Sequence, residues 1–65
     1  MRVLGVDPGL TRCGVGIVEG AVGSPITLVE VGVILTPTDS PLEQRLLVLD
    51  QQLSQWINMW NPDVI

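Results

Sequence analysis

The 65-residue chain predicts an α/β fold: an antiparallel meander of three strands, one helix, and the start of a fourth strand parallel to the first. Three observations carry that prediction. Apolar runs rich in valine and isoleucine at 2–6, 13–18 and 26–35 are separated by stretches that contain proline and glycine. Behind Ser40-Pro41-Leu42-Glu43 the apolar residues change period and step by four and three. After Asn61-Pro62 a new apolar run opens with Val64 and Ile65.

Arg2 to Val6 is too brief for a helix and is bounded by Pro8 and Gly9, so it is expected to be a strand with Asp7 at its mouth. Pro8 biases Asp7 toward extended backbone, and Pro8-Gly9 suits the central positions of a type II turn, with glycine supplying the positive φ. The chain doubles back there. Cys13 to Val18 becomes the second strand, and residues 8–12 form the loop.

Alternation places Val3, Gly5 and Asp7 on one face of the first strand and Leu4 and Val6 on the other. In the second strand Gly14 and Gly16 share a face, opposite Cys13, Val15 and Ile17. A register that lays these glycines beside Gly5 and Asp7 stands the carboxylate over a floor without side chains, open to something as large as a nucleic-acid backbone. Strand glycines also mark bulges and close packing, which is the plainer explanation.

Residues 19–25 carry two glycines and a proline, the composition of a hairpin loop. Ile26 to Leu35 is the third strand. Thr27, Val29, Val31, Val33 and Leu35 are expected on one face, and Ile26, Leu28, Glu30, Gly32 and Ile34 on the other. Glu30 is the only charge in the run; a solvated edge residue is the ordinary reading, and a second metal ligand is the alternative.

Ser40-Pro41-Leu42-Glu43 carries three helix-start signals: a capping serine, proline at the first helical position, and the glutamate of a capping box. The spacing predicts a helix over 41–60. Its stripe is Leu42, Leu46, Leu49, Leu53, Trp56 and Trp60, widened by Leu47, Val48 and Ile57, and it is expected to lie on the sheet. Trp56 and Trp60 belong to that stripe and are expected in the core, although indoles also stack on bases. A coiled coil needs more heptads than this. The final Asp63-Val64-Ile65 fits a β-α-β crossover back to the first strand.

A chain of this size buries only about 60% of its unfolded surface. With 46% hydrophobic residues and a mean hydropathy of +0.46, it has the composition of a piece of a larger core whose second sheet face needs cover. Cys13 is the only cysteine and there is no histidine, which excludes an internal disulfide and a Cys/His zinc site. Cys13 is expected to be a small buried strand residue. A reducing compartment, the cytoplasm, fits this composition; no secretory signal and no membrane span are apparent. The net charge of −4, from three arginines and no lysine against seven acidic residues, runs against a basic nucleic-acid footprint. An acidic cation-holding region accounts for that sign only if basic surface lies elsewhere.

The contiguous string GVDPGLTRCGVGIVE resembles the opening motif of the RuvC family of bacterial Holliday-junction endonucleases. ILTPTDSPLEQRLLVL is similar to that family's next segment, so the resemblance covers essentially the whole chain. It implies that residues 1–65 are the N-terminal part of a ribonuclease H-like nuclease domain that nicks four-way DNA junctions in recombination and repair. It also implies two Mg2+ ions per active site, with Asp7 as a catalytic metal ligand and the other acidic ligands in the fourth strand and a C-terminal helix beyond these residues. A hard cation of this kind takes one or two carboxylates together with phosphate oxygens. The chain alone is then expected to be inactive. By the same resemblance, the complete protein is a homodimer that works with the branch-migration proteins RuvA and RuvB.

Thr11 and Arg12, in the loop beside Asp7, are candidates to touch a substrate phosphate, although loop arginines are mostly solvated. The rival reading is an actin-like or kinase-like nucleotide-binding half-domain, in which Asp-x-Gly is followed by Thr or Ser; Leu10 stands there instead. Gly14-x-Gly16 fails as a dinucleotide fingerprint because Glu19 takes the place of the third glycine. A catalytically silent remnant is the third possibility.

Overall fold

The computed structural model describes residues 1–65. Three strands, β1 (Arg2–Asp7), β2 (Arg12–Glu19) and β3 (Thr27–Leu35), form one antiparallel sheet in the order β1-β2-β3, followed by one helix, α1 (Leu42–Trp60). The expected meander and helix are present. The fourth strand is present as its first contact: Val64 pairs in parallel with Val3, the Leu4 amide donates to the Val64 carbonyl at 2.9 Å, and the Asp63 amide donates to the Arg2 carbonyl at 2.8 Å.

Side-chain alternation builds the core on one sheet face. Leu4, Cys13, Val15, Ile17 and Ile34 are buried, and Leu49, Leu53, Trp56, Ile57 and Trp60 of α1 pack against them. The buried Cys13 and the packed tryptophans are as the pattern predicts. Gly32 makes room for Trp56: a Cβ there would stand 2.6 Å from the indole ring. Arg2 ties three elements together. Its Nε donates to Glu19 Oε1 and its Nη1 to the Trp60 carbonyl, both at 2.7 Å, while its guanidinium lies 5.9 Å from the Trp60 ring centroid.

Four expectations change. Ser40 is not the N-cap and the capping box does not form: Pro41, extended at ψ 150°, occupies that position without a side-chain cap, and its carbonyl accepts from the Gln44 and Arg45 amides. Ser40 instead closes a backbone turn onto the Pro37 carbonyl. The helix therefore begins at Leu42, one residue later than the spacing predicts, and ends at Trp60 as expected.

Leu42 and Leu46, at the front of the predicted stripe, and Leu47, expected to widen it, are half exposed; α1 packs on the core only from Leu49 onward. In β3 a bulge opposite Ile17/Val18 sets Leu28 across from Val18 and turns Val29 onto the core. These two residues exchange the faces that strict alternation assigns them. Finally, Gly9 does not take a positive φ, so Pro8-Gly9 is not a type II turn; among the glycines only Gly23, in the β2–β3 loop, does.

Candidate active site

Asp7 ends β1 directly opposite Gly14, and Gly5 lies opposite Gly16. Gly14 and Gly16 in turn face Val33 and Val31. The register thus realises the glycine floor: Asp7 stands at one end of a shallow trough of about 470 Å³ whose base is Gly5, Gly14 and Gly16 and whose far wall is Val31 and Val33. A Cβ at Gly14 would meet Asp7 Cβ at 3.5 Å, so the carboxylate has no side-chain neighbour across the strand. Asp7 is exposed and forms no ion pair and no side-chain hydrogen bond.

This face of the sheet is the one without α1. Arg12 belongs to it by alternation, two residues before Gly14, and is exposed and unpaired; Thr11 is exposed in the loop between β1 and β2. The structure therefore brings Asp7 and Arg12 to one end of one face. Glu30 is elsewhere. It pairs with Ile17 on the opposite face, and its Oε1 accepts the Val31 amide at 3.1 Å, so it has no part in a site with Asp7. No group of three carboxylate, histidine or cysteine side chains converges anywhere in the chain.

Two residues absent from the sequence-based site contribute to its frame. Thr36, just past β3, donates its hydroxyl to the Leu10 carbonyl and its amide to the Thr11 carbonyl, the latter at 3.2 Å. Arg45 Nη2, from the second turn of α1, donates to the same Leu10 carbonyl at 3.3 Å. Only the pairing of Arg12 with Leu35 makes these residues neighbours of the loop, and nothing local in the sequence signals it.

A sheet of this order, with a helix on one face, a crossover back to β1 and an exposed aspartate at the end of β1, defines a ribonuclease H-like fold. The model of the family described as crossover junction endodeoxyribonuclease RuvC matches residues 3–65, and the chain belongs to that family. It is 54% identical over all 65 residues to RuvC of Streptomyces avermitilis, of which it covers 37%, and 51% identical to RuvC of Thermobifida fusca, of which it covers 36%. The chain thus spans little more than a third of these relatives.

Among solved structures, "T. thermophilus RuvC in complex with Holliday junction substrate" superposes with a TM-score of 0.87 at 26% identity, over 98% of this chain and 41% of that one. A second Thermus thermophilus RuvC structure gives 0.83 at 28% identity, over 98% and 40%. No helix of the chain is long and apolar enough to cross a membrane.

Proposed function

We propose that residues 1–65 are the N-terminal part of the nuclease domain of a Holliday-junction resolvase, an endonuclease that nicks four-way DNA junctions in recombination and repair. The observation that carries this reading is Asp7, an exposed and unpartnered carboxylate at the end of β1, at one end of a shallow trough floored by glycines.

The donor chemistry fits a hard cation, since an exposed carboxylate oxygen is what Mg2+ takes from a protein, but Asp7 supplies one ligand of the several that two ions require. Two such ions, when bound, ready a water and stabilise the leaving oxygen of a phosphodiester. The chain's own residues would do the rest: Asp7 contributes negative charge at a fixed strand end, and Arg12 and Thr11 touch a phosphate beside it. The glycines keep the approach free of side chains. Kinship with RuvC supports the remainder of the reading, in which the complete protein is a cytoplasmic homodimer acting on junctions with RuvA and RuvB.

The test compares the full-length protein with its Asp7→Asn variant, which keeps the shape and removes the charge. Mg2+-dependent cleavage of a four-way junction should be lost while junction binding remains, because phosphate contacts elsewhere supply most of the affinity. Wild-type cleavage by the variant would reduce Asp7 to a turn residue. Tight binding of a magnesium nucleotide in place of junction DNA would favour the nucleotide-binding alternative.

A further inference from the structure

The loop after Asp7 has no local means of holding its shape. Residues 8–11 contain no turn hydrogen bond of their own, and Gly9 lacks the positive φ that would make Pro8-Gly9 a tight turn. What the loop does have is a pair of carbonyls held from outside. The Leu10 carbonyl accepts from the Thr36 hydroxyl and from Arg45 Nη2 at 3.3 Å, and the next carbonyl, of Thr11, accepts the Thr36 amide at 3.2 Å. Arg45 Nε also reaches Thr36 Oγ1 at 3.5 Å, so the two clamping side chains touch each other. Thr36 is 5% exposed, the only buried polar residue of the chain. A hydroxyl at such a depth is retained only with its hydrogen bonds made.

From this geometry we infer that Thr36 and Arg45 are positioning residues for the nuclease site: they fix the loop that joins Asp7 to Arg12 and so set where Thr11 and Arg12 meet a phosphate relative to the Asp7 carboxylate. The inference rests on the nuclease reading above for its consequence in activity, though not for the clamp itself. Neither residue touches the substrate. Their effect passes through the backbone of Leu10 and Thr11, and a displacement of about 1 Å at a reacting centre costs on the order of a hundredfold in rate.

The test uses the full-length protein with three substitutions and two readouts. Thr36→Val keeps the shape and removes the donor, Thr36→Ser keeps the donor, and Arg45→Lys keeps the charge but offers one ammonium in place of a fork. Per folded molecule, Thr36→Val should lower kcat for junction cleavage by about tenfold or more with KM changed less than about threefold, and Thr36→Ser should restore most of the loss. Arg45→Lys should fall between them and covers the case in which Thr36→Val does not fold.

Relative to each residue's intrinsic rate, amide hydrogen exchange at Thr36, whose amide donates to the Thr11 carbonyl, should quicken in Thr36→Val and Arg45→Lys and not in Thr36→Ser. Unchanged exchange and unchanged kcat in the folded variants, or equal losses in the serine and valine variants, overturn the inference. If the wild-type protein cleaves no junction, the nuclease reading fails, and the exchange data alone decide whether the clamp exists.

Discussion

Gly9 and Gly23 separate two reasons for a chain to need glycine. Gly23 sits at φ +82° with open space around it, so Gly23→Ala is opposed only by backbone strain, about 1 kcal/mol. Gly9 has an ordinary φ, yet a Cβ there would stand 2.2 Å from the Arg12 carbonyl oxygen. Because that obstacle is backbone, Gly9→Ala must move the loop itself. It should lower the unfolding free energy of the full-length protein, measured by urea denaturation, by about 1–3 kcal/mol and disturb cleavage as well, whereas Gly23→Ala should leave cleavage untouched. Gly14 makes a third case: its Cβ position clears Asp7 at 3.5 Å, but the two further carbons of a valine would stand on the floor beside the carboxylate. Gly14→Val should fold and lose junction cleavage, read as kcat at equal folded fraction. Alternation makes Gly5 and Asp7 legible as one face of β1 and Gly14 and Gly16 as one face of β2, whereas the register that lays the two faces side by side comes from the structure. Gly9 was misread because Pro-Gly signals a turn by dihedral preference, and the actual constraint is a contact across the loop.

In α1 the period of the stripe predicts the helix and its C-terminal end, but not which turns find a partner. Leu49 packs on the core and Gln51 is exposed, so Leu49→Asp should cost on the order of 3 kcal/mol and Gln51→Asp should stay within about 0.5 kcal/mol by chemical denaturation. Equal midpoints would mean that the faces are assigned wrongly. Ser40→Ala should be nearly neutral, within about 0.5 kcal/mol, because the serine caps nothing. Its capping signal was misleading for a local reason: the Ser40 amide is committed backwards to Pro37, and the extended Pro41 intervenes before the first helical residue. The bulge in β3 was equally hidden. Leu28 and Val29 are both apolar, so exchanging their faces leaves no trace in an apolar pattern. The Thr36–Arg45 clamp was not legible at all, since it joins residues 26 and 35 positions from Leu10 through a register that the sequence does not print.

Taken whole, the chain measures 46 × 17 × 13 Å, and its radius of gyration of 13.4 Å exceeds the roughly 11 Å of a compact chain this long. Only six of its 65 residues are buried, and Val31, Val33 and Leu35 stand half exposed or more on the Asp7 face. So little burial cannot offset the entropy of ordering the chain with much to spare. By itself this chain should therefore unfold over a broad temperature range, followed by circular dichroism, and should cleave no junction DNA; robust cleavage would show that no other carboxylates are needed. The bridge from Val64 to Val3 joins positions 61 apart, and this bears on the order in which a ribosome delivers them. When β1, β2 and β3 have emerged and paired, the Leu4 amide and the Arg2 carbonyl still point outward along a bare strand edge. They remain so until Asp63 and Val64 arrive. For the interval in which α1 is being made, the nascent chain offers neighbouring chains a template for pairing, and a translation product stopped at Trp60 should aggregate faster than one carried through Ile65, in which the Leu4 amide and the Arg2 carbonyl are taken.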